Sequence, residues 1–240
     1  MNREISNVLK NYNLGTLIKY NSLTNGFANE NYRIETGKGV FLYRICKQQS
    51  ILEIQNEINF LKILKKAKFP AAYPIMRIDD TYICQKAKYP VIIYDFIEGE
   101  IPKLNENTVT EIGCAVAKLN LLKGAEVFNS HYIINVQNAT ELINQFSTAK
   151  HPYPQLFRDY SNAIDYLKDK IHDNLPKGFI HADVFKDNTI FKGDKLLAII
   201  DFENFCVDTL LFDVAMTING FCFVDNQLDL KLMKLFLDAY

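Results

Sequence analysis

The chain has 240 residues, 48% of them hydrophobic, and carries 27 basic against 28 acidic side chains for a net charge of −1. That suffices for a full core and gives no overall charge that would draw the protein to nucleic acid or an anionic membrane. No apolar run reaches the ~20 residues of a membrane span, and the start, MNREISNVLKNYNLG, lacks a signal peptide's apolar block; the expected location is cytoplasmic.

Residues 17–20 (LIKY), 31–35 (NYRIE) and 40–45 (VFLYRI) read as strands, and TGKG at 36–39 as a hairpin turn, because glycine supplies positive φ. Residues 51–67 place Ile51, Ile54, Ile58, Leu61 and Leu64 at steps of three and four, which predicts an amphipathic helix. Its last turns are basic, in keeping with the macrodipole, and Phe69-Pro70 stops it. Strand character returns at 75–78, 82–84 and 89–96.

The pattern changes after Ile97-Glu98-Gly99-Glu100. Helices are expected over 105–122, 155–173, 208–219 and 228–240, and strands only at 189–191 and 196–200. The reading is a β-rich lobe over 1–97 followed by a helical lobe over 98–240. Cys46, Cys84, Cys114, Cys206 and Cys222 are odd in number and widely spaced, without a C-x-x-C pair, and read as buried thiols rather than zinc ligands. His131, His151 and His172 read as surface or satisfied residues.

Residues 178–203, GFIHADVFKDNTIFKGDKLLAIIDFE, hold the chemistry. Asp183 and Asn188 lie five apart on a loop. LLAII is a continuous apolar strand, and Asp201 sits at its end. A carboxylate there is costly unless paired, and a divalent cation is an efficient partner. Asp and Asn oxygens are hard ligands suited to Mg²⁺, which completes its shell with water and phosphate. Asn188 and Asp201 are the expected metal ligands, and Asp183 is left free to accept a proton from a hydroxyl.

The form H-x-D-x-x-x-x-N followed by I-D-F resembles the aminoglycoside phosphotransferase and choline kinase superfamily. The resemblance implies an α+β, protein-kinase-like two-lobe fold, with an antiparallel sheet and one helix in the first lobe and a mainly helical second lobe. It implies ATP and Mg²⁺ as cofactors and a small-molecule alcohol as acceptor. His181 and Asp183 fall in the catalytic motif, and Asp213 is implied to hold the catalytic loop by hydrogen bonding; its alternative is a carboxylate in a helix first turn. NGFANENYRI (25–34) looks like the family's phosphate-covering loop, which assigns Gly26 and Asn29 to the nucleotide. Arg44 falls where kinases carry the strand lysine, with Glu57 as its expected partner and Glu53, one turn earlier, as the alternative. Asp95, Phe96 and Ile97 stand where the hinge meets adenine.

Within that superfamily, HADVFKDNTIFKGDKLLAIIDF, CVDTLLFDVAMTINGFCF and LFLDAY are similar to bacterial homoserine kinases. This makes L-homoserine the favoured acceptor. Glu203, Phe221 and Val207 depart from that pattern, and D-F-E is more typical of choline and ethanolamine kinases. Those kinases, aminoglycoside phosphotransferases and a catalytically impaired nucleotide-binding protein are the alternatives. The chain stops inside a helical pattern where such kinases continue. A shortened helical lobe is therefore expected, with Leu230, Leu232, Leu235 and Phe236 short of cover and open to self-association through the last helix.

Overall fold

The computed structural model describes residues 1–23, 29–85, 88–128, 135–147, 152–168, 170 and 174–240. Four strands in sequence order form one antiparallel sheet: β1 (Leu17–Leu23), β2 (Asn29–Thr36), β3 (Gly39–Cys46) and β4 (Val91–Asp95). Gly39 closes the β2–β3 turn at φ 139°, a value that side chains rarely adopt. The period of two sorts the sheet's faces. Ile34, Tyr43, Ile45, Val91 and Ile93 lie on one face in a core with Ile5, Val8 and Leu9 of α1 (Asn2–Leu9). Leu42, Ile92 and Tyr94 pack into the larger core on the other. That helix was not expected from the sequence, because its apolar stripe is short and surrounded by polar residues.

Helix α2 (Ile51–Lys66) begins with a capping box in which Ser50 and Glu53 satisfy each other's backbone N–H groups. It buries Ile54, Ile58, Phe60, Leu61 and Leu64. The strands expected at 75–78 and 82–84 do not form. Only Pro74 and Cys84 make single bridges, to Tyr94 and Val91. Pro70 and Pro74 lack N–H donors, and Arg77–Thr81 closes a tight turn with Asp80 at φ 60°.

Helix α3 (Glu106–Asn120) is capped by the Asn105 side chain. After it come α4 (Val136–Phe146), also unexpected, and α5 (Pro154–Lys168). Strands β5 (Lys177–Ile180), β6 (Thr189–Lys192), β7 (Lys195–Ile199) and β8 (Cys206–Thr209) pair as β5–β8 and β6–β7. The sequence pointed only to β6 and β7, since the four-residue β5 and β8 carry too little alternation to register. Helix α6 (Leu210–Phe221), the short hairpin β9 (Phe223–Val224) with β10 (Gln227–Leu228), and α7 (Leu230–Ala239) end the chain.

Leu232 and Phe236 are buried in the main core, and α7 packs on α3. Leu235 is half-buried and Leu230 exposed, so the expected shortage of cover is corrected for Leu232 and Phe236. Four cysteines are buried, but Cys114 lies on the exposed side of α3, a correction to the reading of all five as buried. No helix among the described residues is long and apolar enough to cross a membrane.

The larger core is continuous from α2 through α3, α6 and α7. Phe60 of α2 stacks on Phe205 with centroids 4.3 Å apart, which ties α2 to the segment after Asp201. Segment 96–100 then crosses from β4 to β6, where Glu100 and Phe191 exchange backbone hydrogen bonds of 2.9 and 2.8 Å. A Cβ on Gly99 would lie 2.5 Å from Ile190 Cγ2 and 2.6 Å from the Phe191 carbonyl oxygen. Gly99→Ala is therefore expected to destabilise the fold by about 1–3 kcal/mol through overpacking. Thermal unfolding checks this; an unchanged melting temperature would show that the crossing has room to spare.

Candidate active site

Strand β5 delivers the chain into the loop 181–188. Asp213, in the first turn of α6, is fully buried. Its carboxylate accepts hydrogen bonds from His181 N (2.9 Å), Ala182 N (2.8 Å) and Asn120 Nδ2 (3.1 Å). Burial pushes this carboxyl upward, and His181 with the three N–H donors opposes the shift. Ala182 stands at φ 68°, a left-handed conformation that an alanine keeps only when its surroundings impose it.

His181 is also fully buried. Its Nε2 lies 2.9 Å from the Ile200 carbonyl oxygen, which can only accept, so Nε2 carries the hydrogen. Nδ1 then accepts from Asp183 N at 3.2 Å. His181 and Asp213 thus stand behind the loop and shape it, while Asp183 faces a cavity of about 710 Å³.

The cavity is lined by Asn29, Arg44, Glu57, Asp95, Phe96, Ile97, Asp183, Asn188 and Asp201, which the sequence had singled out from distant segments. Gly26, assigned with them, lies outside the described residues, as do His131, His151 and His172. Asn188 Nδ2 donates to both the backbone oxygen and Oδ2 of Asp183, each at 2.9 Å, and so fixes that carboxylate.

The partner of Arg44 differs from expectation. Its Nη1 donates to Asp201 Oδ1 at 3.1 Å, its Nε to Asn31 Oδ1 at 3.1 Å, and its guanidinium lies 5.5 Å from the centre of the Tyr94 ring. Glu57 forms no ion pair with it. The Glu57 carboxylate accepts instead from Gln49 Nε2 (3.0 Å) and Tyr94 Oη (3.3 Å). The alternative, Glu53, is used in the cap of α2, where it accepts from Ser50 N at 2.6 Å. Burial works against the Arg44 charge, but Asp201, Tyr94 and Glu57 together outweigh it and hold its pKa above the usual value. Burial pushes the Glu57 carboxyl up, against the pull of Arg44 and its hydrogen bonds.

The donor set fits Mg²⁺ and a nucleotide. With Asn188 Nδ2 committed to Asp183, its Oδ1 is left as an acceptor, and Asp201 Oδ2 has no hydrogen-bond partner among the described residues. No group of three or more His, Cys, Asp or Glu among the described residues is placed to hold a metal. One carboxylate and one amide oxygen suit an ion that keeps its waters and takes phosphate. Ile97 lines the cavity beside Leu42, Tyr94 and Ile200, and its N–H has no backbone acceptor among the described residues.

Asn31 and Glu203 are among the cavity residues that the assignment from sequence did not include. Asn31 shares a sheet face with Asn29, which its i+2 spacing signals. Glu203 accepts from Asn29 Nδ2 at 2.8 Å, and burial, then Asp201, push its carboxyl up.

A model of the APH phosphotransferase enzyme family matches residues 19–235. The chain is 28% identical over 239 residues to the homoserine kinase of Bartonella henselae, spanning 97% of this chain and 74% of that protein. It is 30% identical over 245 residues to the homoserine kinase of Bradyrhizobium diazoefficiens, spanning 99% and 74%. Among solved structures, a spectinomycin phosphotransferase in complex with ADP and spectinomycin shares the fold at a TM-score of 0.77 and 14% identity, over 99% of this chain and 79% of that one. An amicoumacin kinase in complex with AMP-PNP, Ca²⁺ and Ami does so at 0.76 and 12%, over 99% and 76%.

The Glu57 carboxyl carries a prediction about pH. Its folded pKa is raised, so the native state binds more protons than the unfolded chain above the free value of 4.5. The stability it contributes is present below that value and is lost as pH rises through the folded pKa. Glu57→Gln removes this loss and can keep both hydrogen bonds, because Gln49 Oε1 has no donor and a rotated Gln49 amide would supply the acceptor. The melting temperature of the variant relative to the parent is expected to rise between pH 5 and pH 8; a constant difference would disprove the assignment.

Proposed function

The chain belongs to the APH phosphotransferase enzyme family, and on that premise we propose that it transfers the γ-phosphoryl group of ATP to the hydroxyl of L-homoserine. The observation that carries this is the Asp183 carboxylate, held by Asn188 at the edge of the cavity that Arg44 and Asp201 also line. The homoserine kinases among its relatives support the acceptor, at identities of 28–30% along nearly the whole chain.

In this reading residues 1–97 bind the nucleotide and residues 98–240 supply the chemistry. The backbone at 95–97 meets the adenine edge. Asn29 and the segment around Gly26 cover the phosphates, and Arg44 donates to their oxygens. Asn188 Oδ1 and Asp201 would hold Mg²⁺, whose charge offsets that of the phosphates when it is bound. Asp183 orients the acceptor hydroxyl and takes its proton; His181 and Asp213 keep Asp183 in place. Most of the rate gain in such a site comes from positioning and fixed charge.

A second acceptor class, choline or ethanolamine, is favoured by Glu203, which follows Asp201-Phe202 in the D-F-E form. ADP release measured with homoserine, choline, ethanolamine and an aminoglycoside is expected to be Mg²⁺-dependent and fastest with homoserine. Faster turnover of another alcohol would reassign the acceptor.

Asp183→Asn is expected to keep nucleotide affinity and lose turnover by about 10²–10⁴-fold, the usual worth of a general base. Near-normal turnover removes Asp183 from that role. Asp201→Ala is expected to abolish the Mg²⁺-dependent part of nucleotide binding, read by calorimetry with and without the metal; unchanged affinity would exclude Asp201 as a ligand.

A further inference from the structure

Asn120 ends α3 as a buried side chain, 5% exposed, and both hydrogens of its amide are in use. Nδ2 donates to the Phe179 carbonyl oxygen at 2.8 Å and to Asp213 Oδ2 at 3.1 Å. A carbonyl and a carboxylate only accept, so the amide can point one way, and Oδ1 is left in need of a donor. Tyr240 supplies it: its Oη donates to Asn120 Oδ1 at 2.9 Å. Burial and then Asp213 push the Tyr240 phenol up, which keeps the hydrogen on that oxygen. Helix α7 brings Tyr240 to this point. The Tyr240 N–H donates to the Phe236 carbonyl oxygen at 2.9 Å, and Phe236 is fully buried. A Cβ on Gly113 would lie 2.9 Å from the same Phe236 oxygen, so the close approach of α7 to α3 depends on a glycine about two turns before Asn120.

We propose that Tyr240 is a positioning residue for phosphoryl transfer: its hydroxyl holds the Asn120 amide, and through that amide the Asp213 carboxylate and the loop that carries Asp183. The inference rests on the reading of Asp183 as the base and adds a side chain that does not line the cavity. The chain of contacts is short. Tyr240 touches Asn120, Asn120 touches Asp213, and Asp213 accepts from the N–H groups of His181 and Ala182, the two residues before Asp183. Phenylalanine at 240 would keep the ring beside that of Phe236, whose centre is 6.0 Å away, and would leave Asn120 Oδ1 without its donor. A buried acceptor without a donor favours a shifted amide, which loosens its bond to Asp213.

Hydrogen exchange and steady-state kinetics on the full chain test this together. In Tyr240→Phe the amides of His181 and Ala182 are expected to exchange about tenfold faster than in the parent, while those of the β2–β3 hairpin keep their rates. Turnover of the preferred alcohol is expected to fall by about three- to tenfold in kcat, with KM for Mg·ATP near that of the parent. On an Asn120→Ala background the same substitution is expected to add nothing, because the hydroxyl acts through that amide. If Asn120→Ala fails to fold, Tyr240→Phe alone decides. Unchanged exchange at His181 and Ala182 overturns the proposal, even where α7 exchanges faster, since the hydroxyl would then serve only to dock that helix. A further loss on the Asn120→Ala background overturns it too. A parent that turns over none of the alcohols strikes the proposed reaction instead, and the exchange rates then decide the role of Tyr240 by themselves.

Discussion

The Asp213 carboxylate is fully buried and accepts from two consecutive backbone N–H groups, those of His181 and Ala182, and from the Asn120 amide. An ionised carboxylate away from water is expensive unless its oxygens are satisfied. Here they are satisfied by the loop that must be held. The left-handed Ala182 costs on the order of 1 kcal/mol, and it persists because leaving Asp213 unpaired would cost more. Asn120 extends the restraint, since its Nδ2 also donates to the Phe179 carbonyl oxygen and its Oδ1 accepts from Tyr240 Oη. One carboxylate thus links α3, β5, α6 and the end of α7 to the conformation of the residue preceding Asp183.

Charge balance dominates the other side of the cavity. Glu57, Asp95, Glu100, Asp183, Asp187 and Glu203 line it together with Asp201, while Arg44 is the one cationic side chain among the described lining residues. Such a cavity repels a polyphosphate. The divalent cation proposed above would offset that acidity for a polyphosphate. The Arg44–Asp201 pair follows from the same balance: the one buried cation among the described residues takes the carboxylate of the left-handed residue at φ 66°. Phosphate and metal would each draw on one member of that pair, whose facing atoms lie 3.1 Å apart.

The sequence singled out residues from distant segments that the fold brings to one cavity, while several short elements around them stayed hidden. Asp183, Asn188 and Asp201 were readable because five-residue loop spacing and an apolar strand end constrain what those polar side chains can do. Helices α2 and α3 and the β2–β3 hairpin were readable from periodicity, caps and glycine. Helix α1 and strands β5 and β8 were not, because eight- and four-residue elements show too little of their period. The choice of partner for Arg44 was not legible either. It depends on distances across three segments, and Glu57 and Asp201 offer the same chemistry to a reader of the sequence alone.

The consequence of that partner choice is mechanical. Had Glu57 paired with Arg44, the orientation of the guanidinium would follow α2. Instead Glu57 holds the Tyr94 hydroxyl, and the Tyr94 ring lies against Arg44. The direct polar restraint on Arg44 within the sheet comes from Asn31, its cross-strand neighbour on β2. A sheet is a stiffer reference than a helix docked on it, since cross-strand neighbours are fixed by the backbone ladder itself. Helix α2 still acts on Arg44, but through the Tyr94 ring that also lines the cavity. A shift of α2 would therefore reach Arg44 through the Tyr94 wall of the cavity, whereas a change at Asn31 on β2 would reach it directly.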